Sequence, residues 1–198
     1  MAGGQSRRFG GEDKAFLIFQ GETFIERIAK QSLSVSDDVI LVIGKKETSR
    51  FENLFPGKVR IVKDSYDLGS PVSGILTACD LVKHSYLVVL GCDMPLVRAS
   101  VLKMMGSAAG SHSAAVPTWE DGKKEPLCSV YNAAEYMVAA REAVNANAKG
   151  CLKVLEFLQD VVPVPVSEIR KLDPRLESLS NINSKEDLDA LSAATFSR

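Results

Sequence analysis

Residues 2–14 read Ala-Gly-Gly-Gln-Ser-Arg-Arg-Phe-Gly-Gly-Glu-Asp-Lys. Glycines at this density let a backbone approach a ligand closely. Consecutive N–H groups in such a loop point together at one anion. Arg7, Arg8 and Lys14 add full charge; arginine grips phosphate oxygens in pairs and lysine acts as a point charge. Residue types alone also allow a loose basic chain end. The spacing is neither the Walker pattern G-x-x-x-x-G-K-[ST] nor the dinucleotide pattern G-x-G-x-x-G. A second chemical segment is Leu-Gly-Cys-Asp-Met-Pro at residues 90–95. It follows an apolar run, which puts Asp93 at the C-terminal end of a buried strand, where open α/β sheets bind ligands. A carboxylate there suits magnesium, a hard ion that bridges to phosphates. A helix cap is the competing role for Asp93, and an ordinary turn residue is that for Asp64. Asn183 has Glu186 three residues on and reads as the cap of a last helix over residues 184–191.

The elements that would hold these groups follow from hydrophobic periodicity. Apolar runs at 39–43, 59–62 and 86–90 lack polar alternation, so both faces are expected to be buried, as in a parallel sheet. Thr23 with Glu26 forms a capping-box pattern, and Phe24, Ile25, Ile28, Ala29 and Leu33 trace one helix face after it. Ile75, Cys79 and Val82 repeat that pattern behind a turn at 69–74. Such alternation implies right-handed crossovers and a doubly wound, mostly parallel α/β sheet. Further on, residues 114–117 and 127–131 read as strands around a polar loop, with a turn at Asp121-Gly122. Residues 133–144 and 151–158 read as helices. Pro163 and Pro165 confine 161–166 to a sheet edge.

The bulk numbers narrow the function classes. A chain of 198 residues with 45% hydrophobic content supports one sizeable core. A formal net charge of −1 gives no reason to expect nucleic acid or a membrane surface as partner. No apolar run approaches the roughly 20 residues of a membrane helix, and no secretory signal opens the chain. Cys79, Cys92, Cys128 and Cys151 form no C-x-x-C pair and read as free thiols of a cytoplasmic protein. His84 and His112 read as surface or packing residues, since two isolated histidines make a poor metal site.

The order of residues 2–14 resembles the A-G-G-x-S-x-R-x-G-x-x-D-K signature of the molybdenum cofactor guanylyltransferases, within the sugar-phosphate nucleotidyltransferase-like superfamily. Ala2, Gly3, Gly4, Ser6, Arg8, Gly10, Asp13 and Lys14 occupy its positions. Residues 91–95 are similar to the family's C-D-x-P motif. Lys63-Asp64 and residues 68–74 look like its E-D and G-P-L-A-G segments, with Ser70 in place of a glycine. Residues 125–131 and 181–184 resemble its P-L-x-A-x-Y and N-x-N-T-P segments.

The resemblance implies a single nucleotidyltransferase domain over 1–198, with a nucleotide half to about residue 110 and an acceptor half beyond it. It implies nucleotide binding by Ala2, Gly3, Gly4, Lys14, Asp64 and Asp93. Arg8, Lys14 and Asp93 become the catalytic residues, Asp93 the ligand of Mg2+, and Asn183 an acceptor contact. The implied reaction moves GMP from GTP to the terminal phosphate of molybdenum-molybdopterin. Other cofactor-biosynthesis proteins or acceptor molybdoenzymes are the implied protein partners. Transfer from CTP or another nucleotide to a different phosphorylated acceptor stays open, as does non-catalytic binding. Guanine selectivity comes from the family alone, because residues 43–46 read Ile-Gly-Lys-Lys where some members have an Asn-rich turn near the base. Trp119, in the polar loop, is a candidate for stacking on a pterin or for packing at the loop base. In the family a buried strand ending in Leu-Ala-Gly-Gly precedes the loop. Here Met1 takes the leucine position and that strand is missing, so the natural start is expected upstream, with Met1 internal.

Overall fold

The computed structural model describes residues 1–3, 13–184 and 186–189. Gly4, Ser6, Arg7, Arg8 and Gly10 lie outside them. A short 3-10 turn, Lys14–Phe16, is capped by Asp13, whose carboxylate accepts the Ala15 N–H at 3.2 Å. A small hairpin follows, β1 (Ile18–Phe19) and β2 (Glu22–Thr23). Helix α1 (Phe24–Leu33) starts where the sequence pattern places it. Thr23 Oγ1 accepts the Glu26 N–H, and the Glu26 carboxylate accepts the Thr23 N–H at 2.8 Å. Strands β3 (Ile40–Val42) and β4 (Arg60–Val62) pair in parallel, with the four-residue helix α2 (Ser49–Glu52) between them.

Helix α3 (Pro71–Leu81) opens on proline, which needs no N–H partner in a first turn. The turn expected over 69–74 is therefore shorter, and Val72, Ser73 and Gly74 are helical. Strand β5 (Tyr86–Leu90) has the predicted bounds. Sequence reasoning assigned no element to α4 (Ala99–Ala109). Strands β6 (Ala114–Thr118) and β7 (Cys128–Asn132) flank the polar loop. They are followed by α5 (Ala133–Asn145), α6 (Cys151–Val154), β8 (Val161–Pro165) and α7 (Val166–Leu172).

The larger sheet runs β5-β7-β6-β8. β6 and β8 are parallel, whereas β7 runs against both β5 and β6. The α/β architecture is as expected, with parallel pairs and one reversed strand. The proline-containing β8 lies at the edge, where a missing N–H costs no ladder bond. Side chains alternate between two cores with the period of two that a strand imposes. Val89, Ala114, Val116 and Tyr131 face α3, α5 and α6. Leu90, Ala115, Val130 and Val164 face α1, α4 and α7. Helices cover both faces of this sheet, but burial is less complete than the apolar runs predict: β4 is only partly buried and Val88 of β5 is 40% exposed. Among the described residues no helix is long and apolar enough to cross a membrane.

One half-buried ion pair ties the strands that carry the site. Arg60 Nε and Nη2 donate to the two carboxylate oxygens of Asp38 at 2.9 and 2.7 Å. The Lys83 N–H donates to Asp38 at 3.1 Å, and Arg60 also reaches the Leu81 carbonyl at 2.8 Å. One contact set therefore ties the start of β3 to β4 and to the end of α3. Burial opposes ionisation of Asp38, but the Lys83 amide and the Arg60 guanidinium outweigh it and hold the carboxyl below its ordinary value. A depressed folded value contributes stability above the unfolded value and loses it as pH falls through the folded one. Asp38→Asn is expected to cost about 2 kcal/mol at neutral pH. Urea unfolding should show the gap between mutant and parent closing below about pH 4.

Candidate active site

The first residues of the chain sit at the C-terminal ends of β3 and β5. The Met1 ammonium donates to the Leu90 carbonyl at 2.8 Å, and the Cys92 N–H donates to the Met1 carbonyl at 3.1 Å. The Ala2 N–H donates to the Val42 carbonyl at 2.8 Å. Met1 and Ala2 therefore lie between the two strands as a short piece of sheet. Gly3 then passes over Gly44 in the turn after β3. Gly44 has φ +67°, and a Cβ there would lie 2.9 Å from the Gly3 Cα. A glycine is needed at 44 on both counts.

Lys14 is the residue on which the site converges. Its Nζ donates to Asn183 Oδ1 at 2.8 Å and lies 3.9 Å from Asp93 Oδ2. These groups come from the 3-10 turn, the segment after β5 and the last described segment. The Ile182 N–H donates to the Asp93 carbonyl at 2.8 Å, which fixes the last segment against the strand end. Asp93 folds back over Gly91. A Cβ at 91 would lie 2.4 Å from Asp93 Oδ1, so any larger residue there would displace the carboxylate.

Ser184 caps the start of the last helix. Ser184 Oγ accepts the Asp187 N–H at 3.2 Å, and the Asp187 carboxylate accepts the Ser184 N–H at 2.8 Å and the Asn183 N–H at 2.7 Å. Ser184 and Asp187 thus form the reciprocal cap expected of Asn183 and Glu186. The Asn183 side-chain oxygen accepts from Lys14.

Asp64 follows β4 and exchanges contacts with Gly44. Its N–H donates to the Gly44 carbonyl at 3.0 Å, and the Gly44 amide donates to its carboxylate. Burial raises the Asp64 carboxyl above its ordinary value; the Gly44 amide and the Met1 ammonium pull it down without cancelling the shift. Burial lowers the pKa of the Met1 ammonium, against the pull of Cys92, Asp93 and Asp64. The glycine turn, Asp64 and Asp93 thus surround the start of the chain.

Lys46 escaped the sequence reading. Its Nζ is buried 2.7 Å from Asp13 Oδ2, close but poorly aligned for a hydrogen bond. It bears electrostatically on Met1 and Cys92, and so belongs to this cluster. Its neighbour Lys45 instead pairs with exposed Asp67 at 2.7 Å. No local sequence signal separates the two lysines; only the turn at Gly44 does.

Trp119 is half-buried in the polar loop. Its Nε1 donates to Glu125 Oε1 at 3.0 Å, and Lys123 Nζ lies 5.6 Å from its ring centre. It packs against the core beneath α4, which satisfies the packing alternative. The four cysteines are free thiols. His84 and His112 pair with Asp37 and Asp160 at 2.9 and 2.8 Å, away from this cluster.

Comparison with known proteins places this geometry in a family. The model of the MobA-like NTP transferase domain matches residues 1–161. A relative from Methanosarcina mazei, named a probable molybdenum cofactor guanylyltransferase, is 34% identical over 96% of this chain and 86% of its own length. The molybdenum cofactor guanylyltransferase of Desulfosudis oleivorans is 31% identical over 98% of this chain and 93% of its own. Among solved structures, the molybdopterin-guanine dinucleotide biosynthesis protein A of Archaeoglobus fulgidus superposes with a TM-score of 0.78 at 26% identity, covering 100% of this chain and 97% of that one. A 4-diphosphocytidyl-2C-methyl-D-erythritol synthase from Anaerococcus prevotii has the same fold, with a TM-score of 0.73 at 13% identity over 100% and 93% of the two chains. With Ala2, Gly3, the Asp93 segment and the 181–184 segment at neighbouring strand ends, the chain belongs to the MobA-like NTP transferase domain family and is a nucleotidyltransferase.

Proposed function

We propose that this enzyme transfers GMP from GTP to the terminal phosphate of molybdenum-molybdopterin, as a step of molybdenum cofactor biosynthesis. The observation that supports it most is the meeting of Lys14, Asp93 and Asn183 at the strand end. The relatives' names supply the substrate pair. In the reaction an acceptor phosphate oxygen bonds to the α-phosphorus of GTP. The bond from that phosphorus to the bridging oxygen breaks, and pyrophosphate leaves with the electron pair. The acceptor is already an anion, so no general base is required. The protein's task is alignment and charge compensation.

Each residue then has a physical role. The Ala2–Gly3 backbone, fixed against β3 and Cys92, lies along the nucleotide. Lys14 stabilises charge on the departing pyrophosphate, and Asn183 holds the Lys14 ammonium on the acceptor side. Asp64 closes the nucleotide side beside Gly44. Arg8 shares the role of Lys14 in this reading, on a segment outside the described residues.

The donor set fits magnesium. Asp93 supplies a hard oxygen donor at the strand end, 3.9 Å from Lys14 Nζ. Among the described residues no group of three or more His, Cys, Asp and Glu side chains could cage a metal without substrate. Magnesium needs no such cage, because it takes one or two carboxylates and completes its shell with phosphates and water. Asp93 would hold it, and the ion would offset charge on the phosphate oxygens.

Pyrophosphate release, measured for each nucleoside triphosphate against molybdenum-molybdopterin and other phosphorylated acceptors, tests the reading. Release with GTP and the molybdopterin acceptor is expected. Turnover only with CTP or another acceptor would make this a sister enzyme, and magnesium-dependent GTP binding without turnover would make it a binding protein. Asp93→Ala is expected to abolish turnover while leaving the circular dichroism spectrum unchanged. Lys14→Ala should reduce kcat/KM by roughly 2–4 kcal/mol of transition-state stabilisation, the scale of one preorganised electrostatic contact. Unimpaired transfer in both variants would refute these assignments.

A further inference from the structure

Two chain segments meet beyond the C-terminal end of β5. One is the loop 91–98, which carries Asp93 and leads into α4. The other runs over 173–183 and ends on the Lys14 contact. The Ile182 amide joins them at one end, through the Asp93 carbonyl. Arg98 joins them at the other.

Arg98 is the N-cap residue of α4, yet its side chain makes no capping bond. Caps favour Ser, Thr, Asp and Asn, whose oxygens accept from first-turn amides. A cation there also opposes the positive end of the helix dipole. Gln31 of α1 supplies the acceptor instead, taking the Ala99 N–H at 2.9 Å. Arginine thus does nothing for α4, and its contacts lie across the gap. Its backbone N–H donates to Ser178 Oγ at 3.1 Å. Its Nη2 donates to Glu177 Oε2 at 2.6 Å and lies 3.4 Å from Asp173 Oδ1.

Asp173 is wholly buried. Its Oδ2 accepts the Ser178 N–H at 2.7 Å, but its Oδ1 has no hydrogen bond. A buried carboxylate is costly unless a cation faces it, and Arg98 is that cation. The chain between these contacts is held in a conformation that it would rarely adopt alone. Leu176 is buried with φ +55°, a region that non-glycine residues seldom enter. The 3-10 turn Glu177–Leu179 starts from it, and Ile182 and Asn183 follow.

We propose that Arg98 is a positioning residue for the acceptor. It holds 173–178 against the Asp93 loop, so that the Asn183 side-chain oxygen stands where the Lys14 ammonium can reach it. This rests on the reading that Asn183 lies on the acceptor side. Arg98 acts through Asn183 and not on the reacting phosphates. Without it, the Ile182 amide would hold the segment against the pull of an uncompensated Asp173.

Arg98→Met, assayed with GTP and molybdenum-molybdopterin, is expected to raise the acceptor KM by about tenfold or more, the scale of a misplaced positioning contact. The GTP KM should stay at the parent value, because Asp64 and the Ala2–Gly3 backbone are held by β3 and β4. Arg98→Lys keeps the charge, loses the planar fork and should fall between. Adding Asp173→Asn to Arg98→Met removes the buried charge. The melting temperature should then recover, and the acceptor KM should not. In an Asn183→Leu chain, Arg98→Met should raise the acceptor KM no further. If the parent turns over a different acceptor, the transfer reading fails, and the same comparison is made with that acceptor. Amide exchange separates the two ideas without any substrate. Arg98→Met should quicken exchange at Ile182 and Asn183 and leave residues 40–42 unchanged. Unchanged exchange at Ile182 and Asn183 would overturn the proposal. So would an acceptor KM that recovers with the melting temperature, an equal rise in the GTP KM, or full additivity with Asn183→Leu.

Discussion

A single ammonium group joins the parts of this site. Lys14 reaches a carboxylate after β5 and a side-chain carbonyl 169 residues away in sequence. None of the three residues could meet the others unless the strand ends, the 3-10 turn and the last segment were fixed first. Asp13 caps the turn that presents Lys14, and it also takes the charge of Lys46. The Ile182 amide fastens the final segment to the Asp93 backbone. Gly91 leaves space for the Asp93 carboxylate. The functional groups are few, but each depends on a backbone constraint contributed by a different element.

Electrostatics explain why this arrangement suits phosphate chemistry. The cluster gathers two lysines, the chain's ammonium and carboxylates at 13, 64 and 93 in a partly desolvated space. Burial strengthens each of these interactions relative to water. Burial raises the Asp64 carboxyl above its ordinary value and lowers the Met1 ammonium. The Asp38–Arg60 pair works at the other end of the same strands, holding β3 and β4 together so that Gly44 and Asp64 lie side by side.

Much of this was legible in the sequence, for physical reasons. Thr23 and Glu26 announce α1 because the capping geometry is local. The run 86–90 gives β5 its bounds because the apolar stretch is uninterrupted and flanked by polar and glycine residues. Asp93 could be placed at a strand end from that run alone. Other features depend on distant partners. Apolar runs carry no direction, so nothing in 128–132 revealed that β7 runs against its neighbours. Gln20 and Gly21 both take positive φ to turn the β1–β2 hairpin, a turn the dipeptide signals only weakly. Asn183 and Ser184 are both good caps on paper, and only the reach of Lys14 separates them. Lys46 had no local mark at all.

The central claim is that Lys14 and Asn183 act as one unit at the reacting phosphates. A double-mutant cycle on kcat/KM for GTP, with Lys14→Met, Asn183→Leu and the double variant, measures this directly. Residues in one hydrogen-bonded unit give interaction energies of about 0.5–3 kcal/mol. A coupling in that range is expected, with Asn183→Leu doing little once Lys14 is gone. Two effects that add fully would contradict it and would reduce the Lys14–Asn183 contact to an incidental feature of the fold.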